Sequence, residues 1–187
     1  LLDELVLGIE KRKWGDIVMD GNQIIEAVMK TTEEVFENMI SMKVKGESYK
    51  KEILIPEEHL TAMVGFVGSY MGLAAIHCSK RFARRIIGAM LKIDSNAFTD
   101  EDIRDVLGEI ANMIAGHFKA QLVESLQTHE NVFEQSVPSV ICGDGYETCT
   151  ATEAPKYCVM FQTDIEPFYV ELALKKNGET EREGSVF

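Results

Sequence analysis

The chain has 187 residues, 45% of them hydrophobic and 27% charged, which suits one globular domain with a real core and excludes whole-chain disorder. Its formal net charge of -12 repels phosphate backbones and anionic lipid, so nucleic-acid and membrane-surface binding are not expected. Four cysteines with no C-x-x-C pair read as reduced thiols in a cytoplasmic protein; no run approaches the roughly 20 apolar residues of a membrane helix, and no signal peptide is visible.

Residues 1–20 mix apolar and charged positions without a clean period. Leu1, Leu2, Leu5, Val6 and Ile9 suit a short helix, and Glu10-Lys11-Arg12-Lys13 a solvated segment. The chain begins at Leu1 rather than at a methionine. We read this part as a leader or a connection to something upstream, followed by a domain over 21–176 and a polar tail over 177–187.

The first well-marked helix is expected from about Gly21 to Ile40. Asp20 can cap it, with Gln23 as the capping-box partner three residues on. Ile24, Ile25, Val28, Met29, Val35, Phe36, Met39 and Ile40 share one face at helical spacing. Val44 and Ile53-Leu54-Ile55 are weak strand candidates. Thr61 to Val67 and Leu73 to Cys78 are stronger ones, joined as a hairpin through Gly68-Ser69-Tyr70-Met71-Gly72.

A second helix should run from about Lys80 to Leu91, capped by Ser79, with Phe82, Ile86, Ile87, Met90 and Leu91 on its apolar side. The third helix is marked by Thr99 at the N-cap, Asp102 at the capping-box position and acidic residues filling the first turn. Its pattern continues to about Leu126. Beyond it, Ser136 to Cys142, Tyr157 to Thr163 and Phe168 to Leu174 read as strands, with Gly143-Asp144-Gly145 and Asp164-Ile165-Glu166-Pro167 as turns. Runs of strands and helices, without strict alternation, predict an α+β fold: helices packed on one face of a largely antiparallel sheet.

A helix turns about 100° per residue. With Glu109 at zero, Ile103, Leu107, Ile110, Ile114 and Phe118 centre roughly 140° away, which makes them the buried stripe. Glu109 and Asn112 fall together on the other side, one turn apart. Gly116 and Ala120 continue that line, with Gly108 and Ala115 flanking it. A carboxylate and an amide thus share an exposed ridge where small residues let a partner approach. On its own such a pair usually only solvates a helix face.

The segment Gly108-Glu109-Ile110-Ala111-Asn112-Met113-Ile114-Ala115-Gly116 resembles the E-x-x-N signature of the CheC/CheX/FliY chemotaxis phosphatases. Asp102-Ile103-Arg104-Asp105-Val106-Leu107 fits the same helix, Pro138-Ser139-Val140-Ile141-Cys142-Gly143 resembles the strand that follows it, and Phe168 to Lys175 the closing strand. The resemblance spans roughly residues 22–176. It implies a phosphatase that hydrolyses the aspartyl phosphate of a CheY-like response regulator, with Glu109 and Asn112 as catalytic residues. It also implies a homodimer formed through sheet strands, for which the C-terminal strands are candidates because an apolar edge strand invites pairing. Phe36-Glu37-Asn38-Met39-Ile40 lines up with Ile110-Ala111-Asn112-Met113-Ile114, but Val35 stands where Glu109 does. One intact site and one absent or decayed site are therefore expected, as in the CheX type, and Asn38 is read as an exposed helix residue.

The resemblance implies Mg²⁺ and a lysine on the regulator around the phosphoryl group, and no cofactor of the chain's own. An amide offers both a donor and an acceptor, so Asn112 is assigned to orienting the water, and Glu109 to pairing with the regulator's lysine. The alternative is a non-catalytic CheX-like module that docks a receiver domain or another chemotaxis protein through the same ridge.

Other constellations carry less. His77 and Cys78 are adjacent strand residues that point to opposite faces and cannot readily share a metal. Cys78 and Cys158 read as small core residues, and Met29, Met39, Met90 and Met113 as core filler. His117 falls near the edge of the buried stripe; His59 and His129 fall in loops or helix ends.

Overall fold

The computed structural model describes residues 19–51, 53, 58–92, 98–126, 133–143, 146 and 154–177. The leader over 1–18, His129, Cys149, Leu54-Ile55, Asp144-Gly145 and the tail beyond 177 lie outside the described residues. Three helices are described: α1 (Gly21–Val35), α2 (Lys80–Leu91) and α3 (Asp100–Ser125). The strands are β1 (Lys45–Tyr49), β2 (His59–Gly68), β3 (Tyr70–Ser79), β4 (Phe133–Gln135), β5 (Ser139–Gly143), β6 (Lys156–Gln162) and β7 (Phe168–Lys176). They form one sheet in the order β1-β6-β7-β3-β2, with β4 and β5 both paired to the outer side of β2; every pairing is antiparallel.

The local signals act as expected at the helix starts. Asp20 accepts from the Asn22 and Gln23 amides at 2.9 Å each, and Gln23 accepts from the Asp20 amide, closing the capping box. Ser79 accepts from the Phe82 amide at 3.0 Å. Thr99 and Asp102 form the corresponding reciprocal pair at the start of α3.

α1 ends in a single π-helical turn, Phe36–Ile40, and Ser41 closes it in the left-handed region at φ 59°. The turn keeps both Phe36 and Ile40 fully buried. Phe36 stacks on Phe168 at 4.6 Å, and Phe82 and Phe161 stack on the same ring at 5.1 and 4.9 Å. Residues from α1, α2 and two strands thus meet on Phe168, which joins the helical layer to the sheet. The predicted stripe of α3 — Ile103, Leu107, Ile110, Ile114 and Phe118 — is buried throughout.

Several expectations need correction. Met39 and Leu91 are each 51% exposed and lie outside the apolar stripes assigned to them. Met39 is displaced by the extra residue per turn of the π segment, and Leu91 by the end of its helix. The strand near Val44 begins at Lys45, and Ile53 has no strand pairing. The β2–β3 hairpin is tighter than read, with register Phe66↔Gly72 and Ser69 alone between the strands. The strand read as Ser136 to Cys142 begins only at Ser139, after Pro138, which has no amide to give the ladder, and a separate short strand, Phe133–Gln135, precedes it. His59 opens β2. Cys158 is only half-buried, on the sheet face away from the helices. The C-terminal strands cannot offer an edge for pairing: β7 lies between β3 and β6, and β6 between β7 and β1.

Gly72 shows how tightly the centre of the sheet is packed. A Cβ there would sit 1.9 Å from the Ala173 carbonyl oxygen, which is backbone and cannot swing away. Gly72→Ala should therefore cost about 3 kcal/mol, read as a lowered urea midpoint at unchanged slope.

His77 is 2% exposed, on the sheet face opposite the helices, and among the described residues its Nε2 has no partner. Its Nδ1 lies 2.9 Å from Thr61 Oγ1, which also accepts from the Tyr146 hydroxyl at 2.8 Å. Desolvation, helped by the charges of His59 and Lys156, lowers its pKa from 6.5 to about 3. The unfolded chain then binds a proton that the folded chain refuses between those values, so stability falls as pH drops from 6.5 toward 3. The loss approaches about 1.4 kcal/mol per pH unit. Melting temperatures measured from pH 7 to 4 should fall more steeply for the wild type than for His77→Asn, and equal slopes would remove His77 from the acid response.

Candidate functional site

The candidate site lies on α3, so the placement of that helix comes first. Its N-terminus is clamped to α2: Lys80 Nζ reaches Asp100 at 3.0 Å, Arg84 reaches the same carboxylate at 3.2 Å, and Arg84 also donates to the Phe98 carbonyl at 2.9 Å. These pairs hold the Asp100 carboxyl below the usual carboxylate range, the Lys80 hydrogen bond contributing most. The buried stripe then seats the helix on the sheet, above β2.

The flank of α3 is set by glycine and proline. Gly108 is buried, and a Cβ on it would lie 3.3 Å from Pro138 Cβ and 3.6 Å from Val140 Cγ2. Two turns on, the Cβ position of Gly116 lies 4.0 Å from Gln135 Oε1. The edge chain, running from Gln135 to Pro138, therefore passes alongside the helix in the opposite direction. Its middle residues, Ser136 and Val137, fall beside the turn that carries Asn112.

That edge segment is fixed. The Ser136 amide donates to the Gly65 carbonyl at 2.9 Å, its Oγ accepts from the Gly65 amide at 2.9 Å, and the same Oγ donates to the Val137 carbonyl at 2.9 Å. One serine thus replaces the ladder bonds lost where β4 gives way to β5.

Glu109 is exposed and Asn112 half-buried, one turn apart on this rim of α3. Beyond them Gly116 is half-buried and Ala120 exposed. The two side chains that the sequence singled out therefore share an open surface with small residues next to it. Asn112 is half-buried and so less free than the helical projection alone suggests, and the 136–138 segment runs along this flank of the helix. Sequence reasoning passed over that segment; its signal was Pro138 inside an otherwise strand-like run.

Asn38 is exposed in the middle of the π turn, and Val35, at the place corresponding to Glu109, is fully buried. The structure does not bring Asn38 together with an exposed glutamate at that spacing. Glu34, one residue earlier, pairs with Lys30 at 4.0 Å. His117 is exposed on α3. Among the described residues no three His, Cys, Asp or Glu side chains are grouped to hold a metal ion. No described helix is long and apolar enough to cross a membrane.

Residues 60–162 match the family model described as chemotaxis phosphatase CheX. No curated protein matches the chain. Among solved structures, the chain is similar to CheX from Desulfovibrio desulfuricans, with 27% identity and a TM-score of 0.67 over 82% of this chain and 99% of that one. It shares its fold with CheX from Vibrio vulnificus, at 23% identity and a TM-score of 0.70 over 82% and 99% of the two chains. The fold is also that of a CheX–CheY–BeF3–Mg²⁺ complex from Borrelia burgdorferi, at 21% identity and a TM-score of 0.68 over 82% and 98%.

Proposed function

We propose, since the chain belongs to the chemotaxis phosphatase CheX family, that it hydrolyses the aspartyl phosphate of a CheY-like response regulator through Glu109 and Asn112. The observation that carries this reading is the pair itself: Glu109 exposed and Asn112 half-buried, one turn apart, on a rim of α3 with small residues beyond. A CheX relative of the same fold is solved in complex with CheY, BeF3 and Mg²⁺, which supports a phosphorylated receiver as the partner.

An aspartyl phosphate is an acyl phosphate with a good leaving group. Phosphoryl transfer from it needs mainly positioning and charge stabilisation. Mg²⁺ on the regulator neutralises the phosphoryl oxygens. The carboxamide of Asn112 can donate to one of those oxygens and accept from a water, holding it in line with the leaving aspartate oxygen. The water oxygen bonds to phosphorus, the bond from phosphorus to the aspartate oxygen breaks, and inorganic phosphate and a free carboxylate result.

Glu109 suits a different task. A carboxylate next to the phosphoryl group would repel it, whereas against the regulator's lysine it sets register and neutralises charge. The work is carried out in the cytoplasm, where such regulators act. The chain pairs as a homodimer; sedimentation or light scattering at micromolar concentration should show the dimer, and a pure monomer would count against this part.

Asn112→Ala should lower the rate at saturating regulator by about a hundredfold, roughly 3 kcal/mol of transition-state stabilisation. At this accessible position the fold should lose under about 1 kcal/mol. Glu109→Ala should act chiefly through docking, so raising the enzyme concentration rescues it more than Asn112→Ala. Asn38→Ala should stay close to wild type. Decay of the phosphorylated regulator, timed across enzyme concentration, checks all three. Binding without any acceleration of decay would favour the non-catalytic docking module, and an Asn38→Ala defect as deep as that of Asn112→Ala would place chemistry on α1 as well.

A further inference from the structure

We infer that the Ser136–Val137–Pro138 segment is the second wall of the docking surface, and that Val137 is a specificity-determining contact for an apolar patch on the receiver beside its phosphorylated aspartate. The inference rests on the reading of Glu109 and Asn112 as the face that meets a receiver.

Val137 is 83% exposed, more than the other large apolar residues described as exposed: Met39, Val67, Leu91 and Ile141. A lone exposed valine is ordinary. This one is held in place on both sides. Ser136 anchors one side through three hydrogen bonds, two to the Gly65 backbone and one to the Val137 carbonyl. Pro138 anchors the other against Gly108 of α3. Proline also fixes its own φ and restricts the residue before it, which is Val137. A side chain presented on so stiff a backbone loses little entropy on binding.

Its position is as specific as its rigidity. Gly108 meets Pro138, and Gly116 faces Gln135, so Val137 lies across from the Asn112 turn between those two contacts. A partner seated over Glu109 and Asn112 therefore runs onto Val137.

The chemistry of the rim also selects the partner. Glu101, Asp105 and Glu109 are exposed at successive turns of α3, a line of negative charge on the approach to the site. It suits a surface that brings a cation, such as the lysine of a receiver's phosphorylation site, and disfavours nucleic acid or anionic lipid. An apolar contact on one side of Asn112 and a charged line on the other fix a docked receiver in both register and tilt. A contact made equally in the bound complex and the transition state changes binding and leaves the chemical step alone.

The experiment uses the full chain, its Val137→Ser and Val137→Ile variants, and the receiver domains of the same organism. Two quantities are read: affinity for a receiver loaded with beryllium fluoride and Mg²⁺, which needs no hydrolysis, and KM and kcat for decay of the phosphorylated form. Val137→Ser should weaken affinity and raise KM by about fivefold to tenfold at unchanged kcat, while Val137→Ile stays near wild type. Thermal unfolding of both variants should match wild type, since the side chain is almost wholly exposed. A Val137→Ser variant with wild-type affinity and KM overturns the inference even where the wild type is an active phosphatase. Weakened affinity with no hydrolysis by the wild type overturns the enzymatic reading and upholds the docking wall. Wild-type failure to bind any loaded receiver overturns both.

Discussion

The close approach of α3 to the edge of the sheet is the constraint on which the rest of the site depends. A 26-residue helix seated by its apolar stripe could still roll about its axis. Gly108 removes that freedom: without a side chain there, the helix comes within 3.3 Å of Pro138, measured from where a Cβ would stand. At the helix start, the shared grip of Lys80 and Arg84 on Asp100 fixes its position along the sheet. Both pairs are partly exposed and individually worth little. Their value is geometric, because they tie the N-terminus of α3 to that of α2, which the Phe82–Phe168 stack holds to the sheet.

The fold has an internal symmetry that makes its asymmetry informative. Each half runs from a long helix into three strands: α1 into β1, β2 and β3, and α3 into β5, β6 and β7, with β4 placed ahead of β5. Exchanging the halves maps the order β1-β6-β7-β3-β2-β5 onto its own reverse. The two helices therefore hold equivalent posts, yet they treat their termini differently. In α1 the π turn drives Phe36 and Ile40 into the core, and Val35 is buried with them. A carboxylate at Val35 would have to be buried in the core, at a cost of several kcal/mol. In α3 the corresponding Glu109 is exposed. The core chemistry of the first half is thus incompatible with a second glutamate-and-asparagine pair at that spacing.

Much of this was legible from single positions. The caps at Asp20, Ser79 and Thr99 mark helix starts because side-chain oxygens there replace missing backbone partners, and those signals are local. The stripe from Ile103 to Phe118 was readable because burial on a straight helix follows a fixed angle. The π turn was not, since one extra residue per turn shifts everything after it and leaves no compositional mark; Met39 fell on the wrong side for that reason. The break at Ser136–Pro138 was half legible. Pro138 announced an interruption, but that Ser136 repairs the ladder through Gly65, 71 residues earlier, depends on a tertiary pairing. The interior place of β7 was equally hidden, because an all-buried strand looks the same whether it closes a sheet or lies within it.

The half-burial of Asn112 bears on what the residue can do. A fully exposed carboxamide samples several rotamers and its hydrogen bonds compete with bulk water. One half-buried on a flank lined by a stiff backbone segment has fewer orientations to lose when a partner closes the other side. The edge segment is stiff because a serine and a proline both serve it, and it is near because Gly108 has no side chain. Orienting a water is a task in which a misplacement of about 1 Å can cost on the order of a hundredfold. On the proposed reading, the glycine of α3, the proline of the sheet edge and the serine that binds Gly65 therefore serve Asn112 without touching the phosphoryl group. A helix bearing the same glutamate and asparagine but free to roll would present the same groups and lack the precision that the proposed chemistry requires.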